Sequence, residues 1–160
     1  MMRKTMKNLL AELLKNSKRS DREIAELLGV SQPTVTRTRS RLVTEGVIKE
    51  FTVIPSLSKM GYTILAFTLL RFSERRPELI EQGRKWAAKQ SSVIFAGDGE
   101  GLGMDALMVS VHKSYADFSR LIDKIRKDWQ PDLREMPTFM ISLTRPELVV
   151  KPFSLKSLSA

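Results

Sequence analysis

Apolar positions along this chain fall into two regimes. In the first fifty residues they recur at helical spacing, and beyond residue 60 they alternate or run together as they do in strands. Met6, Leu9, Leu10, Leu13 and Leu14 make a stripe that predicts a helix from about residue 5 to 16. Ser20, with Glu23 three residues on, is a capping box that opens a second helix. Ile24, Leu27 and Leu28 give this helix one apolar face, and Gly29 suits the left-handed backbone that ends helices. Ser31 caps a third helix, with Pro33 in its first turn, where a missing N–H costs nothing. Taking Val35 as inward, 100° per residue brings Leu42 close to the same line. Pro33, Arg37, Ser40 and Thr44 then point outward, with Thr36 on one flank and Thr34 and Arg41 on the other. After Gly46, residues 47–54 are rich in β-branched side chains and predict a strand, as a wing or an arm.

Residues 55–61, Pro-Ser-Leu-Ser-Lys-Met-Gly, read as a linker. Residues 62–72 form the next expected strand. One face carries Ile64, Ala66, Thr68, Leu70 and Phe72, and the other carries Leu65, Phe67, Leu69 and Arg71. A helix is expected over 77–90, a short strand over 92–96, a glycine-rich loop over 97–103 and a strand over 105–112. A helix over 114–129 follows, with Phe118, Leu121, Ile122 and Ile125 on one face, and then a strand over 135–144. The order β-α-β-β-α-β is ferredoxin-like. The expected fold is therefore α+β: a winged helix-turn-helix in residues 1–54, a linker in 55–61, a ferredoxin-like module in 62–145 and an extension in 146–160. Both helices of such a module cover the same side of the sheet. A strand apolar on both faces must be covered on both, so the open side is expected to meet a partner, most economically an identical subunit.

Charge sharpens the reading of the third helix. The 160 residues carry a net +9, of which +5 lies in residues 1–50, so the N-terminal third is more than twice as charge-dense as the rest. Such a balance suits an anionic partner. The outward face of the third helix interleaves short hydroxyls with guanidiniums and carries no acid before Glu45. Hydroxyls and arginines bond phosphates and base edges, whereas a carboxylate there would be repelled by phosphate. Charge alone fits an ordinary solvated helix. The capped preceding helix, the turn Gly29-Val30-Ser31 and the lack of acids favour a helix-turn-helix that reads duplex DNA. The candidate DNA-binding residues are Ser31, Gln32, Thr34, Thr36, Arg37, Ser40 and Arg41. Arg37 and Arg41 are assigned to phosphates, and Gln32, Thr34, Thr36 and Ser40 to bases.

The chain has no cysteine, which excludes disulfides, cysteine-ligated zinc and iron–sulfur clusters. No apolar run is long enough to span a membrane and no signal-peptide pattern is present, so a cytoplasmic protein without membrane association is expected. No cofactor and no metal is expected either. Asp98, Glu100 and Asp105 read as a solvated turn rather than a cation site. His112 is the only histidine and reads as an incidental edge residue, and Trp86 and Trp129 read as packing.

The segment Gly-Val-Ser-Gln-Pro-Thr-Val-Thr-Arg-Thr-Arg-Ser-Arg-Leu-Val-Thr-Glu-Gly-Val-Ile, the linker Ile-Pro-Ser-Leu-Ser-Lys-Met-Gly-Tyr and the β-α-β-β-α-β module resemble the leucine-responsive, or Lrp/AsnC, transcription regulators over residues 5–145. The resemblance implies a DNA-reading head and a C-terminal effector-sensing module. It implies dimers formed through the sheets and further assembly into larger oligomers. It also implies an amino acid or similar metabolite bound where dimers meet, near a Gly-acid-x-Asp loop. The corresponding stretch here is longer and richer in glycine, and assigns Asp98, Gly101, Gly103, Met104 and Asp105 to effector binding. Position 39, usually aliphatic, is Arg39, whose head is expected either to reach toward phosphate or to tilt the helix. Two rivals stand beside a sequence-specific regulator. Siroheme decarboxylase subunits resemble the same family, but a single histidine and an intact basic reading helix argue against that chemistry. A DNA-compacting protein with little sequence preference is the other.

Overall fold

The computed structural model describes residues 2–159; Met1 and Ala160, which end the expected first domain and the expected extension, lie outside the described residues. The chain divides into two units, Met1–Ile54 with Pro152–Ala160, and Pro55–Lys151.

The first unit is built on α1 (Lys4–Lys15), α2 (Asp21–Leu28) and α3 (Gln32–Thr44). Met6, Leu9 and Leu13 of α1, Ile24 and Ala25 of α2, and Val35 and Leu42 of α3 form its buried core. Ser20 and Glu23 make the expected reciprocal cap. The Ser20 hydroxyl accepts from the Glu23 N–H at 3.2 Å and the Glu23 carboxylate accepts from the Ser20 N–H at 2.6 Å. That backbone bond holds the Glu23 carboxyl below its ordinary range. Gly29 ends α2 in the left-handed region, at φ 64°. Leu27 differs from expectation: it is exposed, and Ala25 takes the inward place beside Ile24. Within this unit a 3₁₀ turn, Lys156–Ser159, lies against α1.

Residues 47–54 are not a strand. They run irregularly, with Val47, Phe51, Val53 and Ile54 exposed. Their β-branched content fits a pleated, half-buried surface, and among the described residues no neighbouring strand offers one.

The second unit contains β1 (Ile64–Phe72), α4 (Pro77–Ala87), β2 (Val93–Gly101), β3 (Met104–His112), α5 (Tyr115–Trp129), β4 (Leu133–Glu135) and β5 (Thr138–Ser142). The sheet runs β2-β3-β1, and β4 and β5 both pair with the far side of β1; every pairing is antiparallel. The single strand expected over 135–144 is thus two, separated at Met136-Pro137. Proline has no N–H to give the ladder, although its carbonyl still accepts from the Leu69 N–H at 2.9 Å. Ala66, Met108, Phe118, Leu121, Ile122 and Ile125 form the core between the sheet and α5. On the other side of the sheet, register aligns Phe139, Phe67, Val109 and Phe95 in one row across four strands. Phe139 and Phe95, at the two ends of that row, are 69% and 57% exposed.

The loop expected over 97–103 is also different. β2 continues to Gly101, with a register shift between Asp98 and Gly101, and the hairpin closes through Leu102 and Gly103 alone. Both have positive φ, 53° and 72°, as a two-residue type I′ turn requires. Glycines that looked like a flexible loop instead permit a tight reversal.

Candidate nucleic-acid interface and sensing hairpin

α3 is presented by its cap and its core. The Ser31 hydroxyl accepts from the Thr34 N–H at 3.4 Å, and Val35 and Leu42 anchor the helix from below. Ser31, Gln32, Thr36, Arg37, Ser40 and Arg41 are exposed, and Thr34 is half-buried. The structure therefore brings the seven sequence-derived candidates onto one helix and its cap. Several of their polar atoms already have partners within the unit. Thr34 Oγ1 lies 2.8 Å from Ser31 Oγ, Ser40 Oγ donates to the Thr36 carbonyl at 3.0 Å, and Arg37 Nε donates to the Pro33 carbonyl at 3.3 Å. Arg41 pairs with Glu45 one turn on. Gln32 stands at the exposed start of the helix.

Asp21, the first residue of α2, is a part of this surface that the sequence did not reveal. Its carboxylate accepts from Thr36 Oγ1 at 2.6 Å and from Arg39 Nε at 2.7 Å. Arg39 also donates to the Arg19 carbonyl at 3.2 Å. The Arg39 head turns along α3 to the start of α2, where Asp21 and the Arg19 carbonyl hold it rather than leaving it directed at phosphate. It fixes the angle between the two helices. The departure of position 39 from an aliphatic residue was the available signal, but its partner lies 18 residues upstream and only the fold joins them.

In the second unit the five hairpin candidates lie at one end of β2 and β3. Asp98, Gly101 and Gly103 are exposed, whereas Met104 and Asp105 are half-buried. The acids are all engaged. Arg75, in the connection from β1 to α4, donates to Asp98 at 2.7 Å and to Glu100 at 2.6 Å, and Asp105 accepts from the Phe72 N–H at 2.8 Å. The two carboxylates raise the pKa of the Arg75 guanidinium. Arg75 is the second residue that sequence reading missed, since a lone arginine before a helix carries no pattern. Trp86 and Trp129 do pack on each other, edge to face at 6.4 Å, and Phe72 joins Trp129 at 5.6 Å. They also line a cavity of about 430 Å³ between α4 and the sheet. His112 is buried, with Nε2 2.8 Å from Ser110 Oγ and its ring on the edge of Phe118. Burial pushes its pKa below the ordinary value, against a weaker opposite pull from Asp117. No helix among the described residues is long and apolar enough to cross a membrane.

A family profile described as winged helix-turn-helix DNA-binding matches residues 2–49. A helix-turn-helix-type transcriptional regulator of Pyrococcus abyssi is 30% identical over 130 residues, 78% of this chain and 83% of that protein. Another, of Pyrococcus furiosus, is 32% identical over 99 residues, 59% of this chain and 66% of that protein. Among solved structures, an AsnC family transcriptional regulator from Agrobacterium tumefaciens superposes with a TM-score of 0.75 at 16% identity, over 88% of this chain and 90% of that one. A transcriptional regulator from Neisseria meningitidis in complex with L-Met does so with the same score, identity and coverage. At these identities the structural likeness concerns the fold.

Proposed function

Because this chain belongs with the helix-turn-helix-type transcriptional regulators, we propose that it is a regulator of the Lrp/AsnC type that reads a specific, near-palindromic duplex site as a homodimer. The observation that carries this reading is the outer face of α3. From Gln32 to Thr44 the helix holds no acid, and its exposed polar side chains are hydroxyls, an amide and guanidiniums, with Pro33 and Val43 exposed beside them. Arg37 and Arg41 serve phosphates, while Gln32 and Ser40, near the exposed face, serve base edges in the major groove. Thr34 contributes through its shared hydroxyl pair with Ser31. The Thr36 hydroxyl, already donating to Asp21, holds the helix in place more than it reads a base.

Dimerisation through the open side of the sheet accounts for the apolar row from Phe139 to Phe95, which water would otherwise meet. Two reading heads related by a two-fold axis would require two half-sites in inverted order. The C-terminal unit senses a small metabolite of the amino-acid type, in keeping with the L-Met complex of the Neisseria meningitidis protein. Asp98, Gly101, Gly103, Met104 and Asp105 mark the end of the hairpin where that response begins.

Selection of bound duplexes from a random pool, at two salt concentrations, tests this. An enriched inverted repeat is expected, with affinity falling as salt rises through counterion release. Binding without enrichment would identify a nonspecific compacting protein, and no binding at either salt would remove DNA as the partner.

A further inference from the structure

The helix side of the sheet is filled unevenly. Four side chains of α5 are buried against it, whereas α4 contributes only Leu79 to the buried set. Between α4 and the sheet lies the cavity of about 430 Å³, within the range of small-molecule sites. Its body is apolar and aromatic, with Phe72 at one end of β1, Ile80 of α4, and Trp86 and Trp129 against each other. Arg75 lines the same cavity and reaches across to Asp98 on β2.

We propose that this cavity binds a small apolar carboxylate. Its hydrocarbon or aromatic body lies against Phe72, Trp86 and Trp129, and its carboxylate takes the place of Glu100 on Arg75. The proposal rests on the reading of the C-terminal unit as an effector sensor and places the ligand inside one subunit rather than between subunits. Three observations select a carboxylate over an amine or a neutral ligand. Of the three lining acids, Asp105 accepts from the Phe72 N–H and Asp98 is held by Arg75, while Glu74, 76% exposed at the rim, faces the Arg76 guanidinium at 4.0 Å. Two of the three lining arginines have carboxylate partners elsewhere, Arg76 with Asp132 and Arg84 with Glu81. Arg75 instead holds Glu100, whose side chain is 83% exposed. An ion pair so open to water contributes little, so a ligand carboxylate can replace it at small cost. A guanidinium offers a planar fork that a second carboxylate fits as well as the first. Replacing Glu100 would also release the end of β2 next to the hairpin, which gives the ligand a route to the surface read by other subunits.

The two tryptophans in the chain both line this cavity, so intrinsic fluorescence reports its occupancy. The full chain is titrated with 4-phenylbutyrate, 4-phenylbutan-1-ol and 4-phenylbutylamine, following tryptophan emission. The acid is expected to bind about tenfold more tightly than the alcohol, as one charge-assisted contact implies, and the amine weakest. Arg75→Met should remove the preference for the acid while leaving alcohol binding in place. Gly83→Leu, which projects a side chain from α4 toward Trp129, should abolish all three. Circular dichroism and DNA binding confirm that each variant is folded. A preference for the amine, emission unchanged into the millimolar range, or binding undiminished by Gly83→Leu in a folded protein would overturn the proposal. If 4-phenylbutyrate shifts the oligomer in light scattering yet ignores Gly83→Leu, the cavity assignment falls while the effector reading stands.

Discussion

The two units of this chain carry function in opposite places. In the first, three short helices close on a filled core, Leu9, Ile24, Val35 and Leu42 being almost wholly buried. The chemistry lies on the outer face of α3. In the second, α5 fills its share of the sheet while α4 stands off and leaves a cavity. There the chemistry lies in a gap. A filled core turns function outward, where residue types announce it. An unfilled one turns function inward, where ordinary packing residues become the walls of a site.

The largest effect that separates the two is truncation in the filled core. Leu42→Ala removes a side chain with no exposure from the junction of α3 with α1 and α2. A loss of about 2–5 kcal/mol is expected, from lost transfer energy plus the void left behind. Urea unfolding measures it, and DNA binding should fail over the same denaturant range. A loss below about 1 kcal/mol would mean that the first unit is as loosely packed as the α4 side of the second.

Asp21→Ala comes next. It leaves the half-buried Arg39 guanidinium and the Thr36 hydroxyl without their shared acceptor. A cost of about 1–3 kcal/mol is expected, with Asp21→Asn recovering part of it. The DNA measurement sharpens the point. If Asp21 acted only as a negative charge near phosphate, its removal would tighten binding. If it fixes α3 against α2, binding weakens with stability.

These residues also mark how far the sequence could be read. The capping box at Ser20 and Glu23, the turn at Gly29 and the outward face of α3 are local, each decided within a few residues, and all were legible. The alternation of β1 and β3 and the face of α5 were legible for the same reason. What escaped depends on partners distant in the chain. Residues 47–54 have strand composition, but a strand needs a neighbour, and composition cannot supply one. The glycines of 97–103 signalled freedom without saying whether it makes a loop or a tight turn. Leu27 followed helical spacing yet faces water, because Ala25 and Leu28 already meet the other two helices. Arg39 and Arg75 were each visible as charges, but Asp21 and the Asp98–Glu100 pair became their partners only on folding. The distance of α4 from the sheet has no signature in sequence, since Leu79, Ile80 and Trp86 are spaced as packing residues would be.

A third measurement compares burial without a full set of partners on the α5 side. His112 is buried with its Nδ1 unpartnered, and burial lowers its pKa below the ordinary 6.5 or so. In the window below that value the unfolded chain takes up a proton that the folded one refuses. Stability should therefore fall as pH drops from about 7 toward 5.5, by at most about 1.4 kcal/mol per pH unit. His112 is the one histidine, so the slope over this window can be assigned to it. It should flatten in His112→Gln. An unchanged slope in that variant would show that the histidine reaches water in solution.

The smallest effect reverses the sign. In a filled core an added methyl costs about 1–3 kcal/mol through strain. At Gly83, in the middle of α4, an added Cβ would meet only Trp129, at an ordinary 3.9 Å. Gly83→Ala should therefore escape that cost and gain helix propensity alone, about 0.8–1 kcal/mol. Thermal unfolding should show the C-terminal unit stabilised, with 4-phenylbutyrate binding little changed because most of the cavity remains open. Destabilisation would mean that α4 lies closer to α5 in solution, with the space beneath it closed. The contrast between a filled and an unfilled unit would then disappear, and the carboxylate site with it.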